Sequence, residues 1–317
     1  MAHKGLGAGI VALGVAATAC APPVPPPVTP DPPPGATGPS AGCGGTAQGP
    51  QVDQPATLAV DGTVRRYTMT VPAGHRPGTT TPIPLVLDFH GLLEGFAGTH
   101  PFATQFSEAA QAAGFAVVFP IGQGDGVYWD WTAEETNPDL RFVDALVSHL
   151  EGSMCIDRSR IYVTGLSNGA FMTSMLMCMR PDTFAAAAPV AGIVDLCTAT
   201  DRPVPFVTFH GTADPILPYP AFADPPQALA TKYGCEQPPA STVLQPDPDP
   251  STLGAITETS WDCGGAEGFA RSYVIGGGGH SWPGSLFFRI VGFIVGPTAT
   301  SIDATAIIWD FFSQHHL

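Results

Sequence analysis

Basic residues are scarce. The 317-residue chain carries 12 Lys and Arg against 27 Asp and Glu, a formal net charge of −15 at pH 7. Clustered cations are what hold a phosphate backbone, so this balance argues against a nucleic-acid partner. Long apolar runs are also missing. Gly5 to Ala19 is apolar and small but only 15 residues long, and Leu286 to Val295 is ten residues and contains Arg289. A helix that crosses a bilayer takes about 20 apolar residues, so neither run reads as a span. No Cys-x-x-Cys pair occurs among the seven cysteines, which argues against a zinc or dithiol redox site.

What is abundant is proline and glycine, 35 and 37 residues, unevenly placed. Residues 21–50 are mostly Pro, Gly, Ala, Ser and Thr. They offer few apolar side chains to bury and read as an extended linker. Residues 1–20 read as an export signal: a polar start at His3 and Lys4, the apolar run, then Ala17-Thr18-Ala19-Cys20. Small residues before a cysteine fit lipoprotein processing, in which Cys20 becomes the acylated N-terminus of a cell-surface protein. Ordinary signal-peptidase cleavage nearby is the alternative. If Cys20 carries lipid, six cysteines remain, an even number that in an exported chain implies three disulfides. Residues 51–317 are then one domain of ordinary size.

That body alternates two periodicities. Leu58 to Val60, Asp61-Gly62 and Val64 to Val71 read as a hairpin with a tight turn. Short apolar runs at Leu85 to Phe89, Phe115 to Phe119, Arg160 to Thr164, Phe184 to Val190, Val204 to Phe209 and Tyr273 to Ile275 read as buried strands. Helical patterns lie between or after them at Ala103 to Ala113, Leu140 to Leu150, Ala170 to Met179 and Ile302 to Phe312. Strands alternating with helices predict an α/β fold, a mostly parallel sheet with helices on both faces.

Gly-x-Ser-x-Gly occurs twice, and context separates the two. Gly38 to Gly42, around Ser40, lies in the linker with no strand before it and reads as a chance match. Gly165-Leu166-Ser167-Asn168-Gly169 follows a strand and opens a helix, as a nucleophile elbow requires. A serine hydroxyl needs an imidazole to take its proton and a carboxylate to orient that imidazole. Both are expected downstream, each just beyond a strand. Asp214 follows the strand Val204 to Phe209. His280 follows the strand ending at Ile275, inside Gly276 to Gly284, where four successive glycines let the chain turn. His210 competes with His280 and reads as a loop brace. Two backbone N–H groups are needed for the developing oxyanion. Asn168 is the first candidate; in the loop after the strand Leu85 to Phe89, Gly91 allows close approach and Leu92 supplies the second. Trp282, the cluster Tyr128, Trp129 and Trp131, and His90 are candidate substrate contacts, with core packing as the alternative for Trp129 and Trp131.

Four blocks in order now carry a resemblance: Arg160 to Gly169, Phe184 to Gly192, His210 to Asp214, and Gly279 to Gly284. Together they resemble the polyhydroxybutyrate depolymerase and feruloyl esterase family, which includes esterase lipoproteins of actinobacteria. The resemblance implies an α/β-hydrolase fold, the triad Ser167, Asp214 and His280, an oxyanion loop at His90-Gly91, and neither metal nor organic cofactor. It implies an extracellular hydrolase of carboxylic esters, either hydroxyalkanoate units of a polyester or hydroxycinnamates such as those of plant walls. It also implies the pairing Cys43–Cys197, Cys155–Cys178 and Cys235–Cys263. One departure is the apolar segment Leu286 to Gly296, expected to be a lid, a substrate-contacting flap or simply core. The competing readings are a serine peptidase or acyltransferase on the same fold, and a surface lipoprotein that does no chemistry.

Overall fold

The computed structural model describes residues 37–46, 49–197, 202–245 and 254–317. The expected signal segment, Cys20 and most of the linker lie outside the described residues.

The hairpin forms as the turn chemistry dictates. Strands β1 (Gln51–Val60) and β2 (Thr63–Val71) pair antiparallel across Asp61 and Gly62, both at positive φ (49° and 78°). Such left-handed backbone suits the right-handed twist of the flanking strands. Then follow β3 (Ile83–Phe89), the short helices α1 (Glu94–Ala97) and α2 (His100–Thr104), α3 (Phe106–Ala113) and β4 (Ala116–Pro120). A helical turn α4 (Gln123–Gly126), the long α5 (Pro138–Ser153), β5 (Ile156–Leu166), α6 (Asn168–Met179), β6 (Ala186–Val190) and β7 (Phe206–Gly211) complete the central part. After β7 come α7 (Pro225–Lys232), β8 (Ala240–Gln245), β9 (Ile256–Cys263), β10 (Ala266–Ile275), α8 (Leu286–Ile290), α9 (Gly292–Val295) and α10 (Ala304–Ser313).

Among the described residues ten strands join one sheet in the order β1-β2-β4-β3-β5-β6-β7-β10-β9-β8. The six from β4 to β10 run parallel; β1, β2, β9 and β8 add antiparallel edges. Side chains alternate between faces along each strand. On one face Leu85, Leu87, Phe89 and Val163 pack against α5 and α6 through Leu146, Leu150, Met172 and Met175. On the other, Val86, Val117, Tyr162 and Val207 pack against α3 and α10 through Phe106, Ala110, Ile308 and Phe311. Caps fix where two helices begin: the Asn137 side chain accepts from the amides of Asp139 and Leu140 at α5, and Asp303 accepts from Ala306 at α10.

Four differences from the sequence reading stand out. The helix expected over Ala103 to Ala113 is two helices, because Gln105 sits at φ 60° and breaks the ladder between α2 and α3. The antiparallel edge β8–β9 and the helices α7, α8 and α9 carry weaker patterns and were not expected. Folded structure starts ahead of Gln51: the amide of Ser40 donates to Ile156 O, and that of Gly42 to Glu151 O. Ser40 is therefore a packed residue, its hydroxyl donating to Met154 O at 2.6 Å and accepting from the Ile156 amide.

The same contacts correct the cysteine pairing. Cys43 bonds to Cys155, Cys178 to Cys197, and Cys235 to Cys263; only the last matches the expectation. Residues 40–43 lie along the chain that enters β5, which sets Cys43 beside Cys155. Cys178, at the end of α6, meets the loop after β6 instead. Three disulfides fit an oxidising compartment. In the chain-entropy model the 112-residue separation of Cys43 and Cys155 contributes about 5 kcal/mol, against about 3 kcal/mol for the 19 residues between Cys178 and Cys197. Non-reducing peptide mapping should recover these three links. Removal of Cys43–Cys155 by paired Ser substitution should lower Tm more than removal of Cys178–Cys197; the reverse order would show that the N-terminal segment is not clamped to the sheet.

Candidate active site

Backbone proximity shapes the turn between β5 and α6. A Cβ added at Gly169 would lie 2.0 Å from Phe89 O, and one at Gly165 would lie 2.6 Å from Gly169 O. Only hydrogen fits at either place. Between them Ser167 adopts φ 57°, ψ −115°, a conformation that costs a non-glycine residue on the order of 1–3 kcal/mol. Its amide donates to Val190 O, and its carbonyl accepts from Ala170 and Phe171. The half-buried Ser167 side chain makes no cap to α6 and has no hydrogen-bond partner among the described residues, so its contact with an imidazole is not formed in this conformation.

Asp214 and His280 do meet. They follow β7 and β10, parallel neighbours that end on the same sheet edge as β5. His280 Nδ1 lies 2.7 Å from Asp214 Oδ2, and the other carboxylate oxygen accepts from the amides of Ile216 and Leu217 at 2.8 Å each. Burial alone would raise the pKa of Asp214. Hydrogen bonds from His210 and His280 overrule it and hold the carboxyl well below the usual carboxylate range. With Nδ1 taken by the acid, Nε2 is the nitrogen of His280 left for a proton. The rival His210 is 3.4 Å from the same oxygen and donates through Nε2 to Leu217 O at 2.8 Å, the loop brace expected of it.

The two amides expected to face an oxyanion, those of Leu92 and Asn168, have no partner among the described residues. Gly91, expected to allow close approach there, has its own N–H engaged: it donates to Glu94 Oε2 at 2.8 Å. Beneath this loop lies a buried charged group that the sequence reading missed. His100 Nε2 bonds Asp88 Oδ1 at 2.9 Å, and Nδ1 faces Glu94 Oε2 at 3.2 Å. Burial would lower the pKa of His100, but the two carboxylates win and push it up to about 10. His90, by contrast, is held down to about 4, first by burial, and is neutral at pH 7.

The candidate substrate contacts Trp282, Trp129 and His90 are corrected as well. They are 1%, 1% and 2% exposed, and each is engaged elsewhere. Trp282 Nε1 donates to Thr305 Oγ1, and Trp129 Nε1 donates to His90 O. His90 Nε2 accepts from the Gly122 amide. Trp129 braces the site: its amide donates to Asn168 Oδ1 at 2.6 Å, and its carbonyl accepts from Asn168 Nδ2 at 3.2 Å. Trp131, the expected wall residue that stays 38% exposed, joins two aromatics that the sequence reading did not single out. Trp131 meets Phe171 with ring centroids 5.0 Å apart, Phe171 stacks on Phe222, and Phe222 stacks on His210. Phe171 stands one helical turn after Ser167. Its position in the i+4 register from the nucleophile was the available signal.

The apolar segment Leu286 to Gly296 is both core and surface. Phe288 and Val295 are buried, while Leu286, Ile290, Ile294 and above all Phe293, 85% exposed, face solvent. Its end supports the catalytic candidate directly: the amide of His280 donates to Val295 O at 2.6 Å, and that of Gly279 to Pro297 O. Two clefts, of 390 Å³ beside Arg66 and Arg141 and 210 Å³ beside His90 and Phe102, are lined by none of Ser167, Asp214 and His280. Among the described residues no group of His, Cys, Asp and Glu is placed to hold a metal ion, and no helix is long and apolar enough to cross a membrane.

Known proteins agree with this architecture. Residues 103–215, less than half of the chain, match the prolyl oligopeptidase family. Over 285 residues the chain is 29% identical to the Nocardia uniformis subsp. tsuyamanensis protein named "Putative esterase NocK", covering 80% of each. It is 27% identical over 177 residues to feruloyl esterase C of Emericella nidulans, covering 54% of this chain and 63% of that one, a little under two thirds of the relative's length. The solved structure of acetyl xylan esterase from Aspergillus awamori matches with a TM-score of 0.56 at 17% identity, over 72% of this chain and 94% of that one. The chain has the α/β-hydrolase fold, and the resemblance to feruloyl esterases read from its sequence holds.

Proposed function

We propose that this chain is a serine hydrolase of carboxylic esters. The observation that carries the reading is the 2.7 Å pair of Asp214 and His280 on the sheet edge where the elbow lifts Ser167. In this mechanism Ser167 Oγ attacks the ester carbonyl while His280 Nε2 takes its proton. Asp214 fixes the ring and stabilises the imidazolium. The amides of Leu92 and Asn168 receive the oxyanion. Collapse expels the alcohol, which takes the proton from His280, and water then releases the acid by the same steps reversed.

The acyl group is a hydroxycinnamate, as in the name of the feruloyl esterase relatives. The run of rings Trp131, Phe171 and Phe222, with Phe171 one helical turn after Ser167, supports a flat aromatic acid over a hydroxyalkanoate. The match to the prolyl oligopeptidase family favours amide hydrolysis as the second reading. On the sequence pattern, the domain works outside the cell, after removal of residues 1–19 and tethering through acylated Cys20 and the linker 21–50.

Ser167→Ala should lower kcat by about 10³-fold or more and abolish fluorophosphonate labelling. Ser40→Ala should keep kcat but lose about 1–2 kcal/mol of stability, since it strips two buried hydrogen bonds. Inactivation by Ser40→Ala with survival of Ser167→Ala would refute the assignment.

Asp214→Asn should cost about 10³- to 10⁴-fold in kcat. Because its folded pKa is depressed, the carboxylate contributes its stability above the ordinary value of 3.8, and that contribution is lost only as pH falls through the lower folded value. The acid limb of a rate profile near neutrality therefore does not belong to Asp214. A variant retaining most of its activity would show that another carboxylate holds His280.

Assays on methyl ferulate, p-nitrophenyl butyrate, polyhydroxybutyrate and a proline-containing peptide amide choose among the readings. Trp131→Ala should cut kcat/KM for methyl ferulate about 3- to 10-fold and leave the butyrate unchanged. Equal effects on both, or faster turnover of the amide, would remove the hydroxycinnamate reading. Cys20→Ser should release the protein from membranes with its activity intact; a wild-type mature chain without a diacylglyceryl mass would refute the anchor.

A further inference from the structure

The residues after β3 do more than end a strand. The peptide joining Gly91 to Leu92 carries Gly91 C=O at one side and the free Leu92 N–H at the other, and a trans peptide keeps the two pointing opposite ways. Gly91 O accepts from His90 Nδ1 at 2.8 Å and from the Glu94 amide at 3.2 Å. Gly91 N–H donates to Glu94 Oε2. Both faces of Gly91 are thus held by neighbours, and the direction of the Leu92 N–H follows.

Glu94 is held in turn. Its Oε2 faces His100 Nδ1, His100 Nε2 bonds Asp88 Oδ1, and Asp88 Oδ2 accepts from Thr104 Oγ1 at 2.7 Å. Asp88 belongs to β3 and is fully buried, as rigid a support as the sheet offers. Buried carboxylates and imidazoles are costly unless paired, and replacing such a group by packed hydrocarbon is often neutral or stabilising. An ionic chain that ends on the amide beside the nucleophile calls for a role other than stability. We infer that Asp88, His100 and Glu94 are positioning residues that aim the Leu92 N–H at the oxyanion, through the peptide of Gly91.

This inference rests on the serine-hydrolase reading, and the experiment separates the two. Wild type, Glu94→Gln, Glu94→Ala and His100→Gln are titrated to end point with a fluorophosphonate, which counts competent Ser167. Values of kcat and KM per titrated site are then measured on p-nitrophenyl butyrate, with Tm alongside. The Gln at 94 keeps an oxygen for Gly91 N–H and His100, so it should stay within about 3-fold of wild type. Glu94→Ala frees the Gly91 amide and should lower kcat per site about 10- to 100-fold with KM little changed, as misplacing one oxyanion donor does. His100→Gln should fall in the same direction, and it decides the matter if Glu94→Ala does not fold. Affinity for a trifluoromethyl ketone that mimics the tetrahedral intermediate should drop in step with kcat/KM. Unchanged kcat per site in the Ala and His100 variants, whatever their Tm, would overturn the positioning role while leaving the reading intact. A wild type that neither labels nor hydrolyses ester would overturn the reading itself.

Discussion

Everything at the sheet edge depends on how closely the elbow passes the end of β3. Gly169 rides on Phe89 O with no space for a methyl group, and Gly165 likewise leaves none against Gly169 O. That approach leaves Ser167 no ordinary conformation, and its positive φ turns the side chain out of the sheet while α6 begins at the next residue. The price of the strained residue is met by what surrounds it: the Val190 carbonyl on its amide, α6 on its carbonyl, and a buried core on both faces. The same approach brings the loop after β3 to the start of α6, which is what places the unpaired amides of Leu92 and Asn168 on neighbouring elements.

Two acid–imidazole units flank this turn, and their surroundings give them opposite characters. In the first, one carboxylate faces one face of His280, and Asp214 completes its bonding with backbone amides. The second nitrogen of His280 is left over for proton traffic. In the second unit His100 lies between two carboxylates, both nitrogens used, and holds its proton up to about pH 10. A cation fixed in that way is useless as a base but suited to holding the loop. His90 differs from His100, being neutral because burial dominates, so that one nitrogen donates to Gly91 O and the other accepts from Gly122 N. His90 and His100, two buried imidazoles of one loop region, differ in charge because they differ in the number of carboxylates they touch.

The parts legible in the sequence are those where local chemistry and tertiary demand coincide. Asp61-Gly62 forms its hairpin turn because few other pairs accept two left-handed residues. The elbow glycines, and the acid and histidine each beyond a strand, follow from backbone geometry that any sequence with this fold must satisfy. Context also separated Ser167 from Ser40. What context missed was that Ser40 and Cys43 are packed: composition measures the apolar surface available for burial, and this segment is held by backbone hydrogen bonds and a disulfide instead. Trp129 and Trp282 misled for a related reason. Proximity in sequence to a functional residue does not say which way a large side chain points, and both indoles turn inward to hydrogen-bond partners. Glu94 and His100 left no motif at all, because their relation to Asp88 is set by the break at Gln105 and the short helices before it.

The segment Leu286 to Gly296 touches both units. Val295 O takes the His280 amide, so the backbone that carries the imidazole is tethered to a pair of short helices whose outer residues, Ile290, Phe293 and Ile294, are exposed and apolar. Phe287 on α8 also contacts Phe102 on α2, the helix that contributes His100. One apolar surface segment is therefore in mechanical contact with both acid–imidazole units, with His280 through its main chain and with His100 through an aromatic pair. A segment built this way transmits strain to the site if displaced, since packed interiors give little under load. Its inward residues, Phe288 and Val295, resist that displacement by filling the core against α10 and the strand ends.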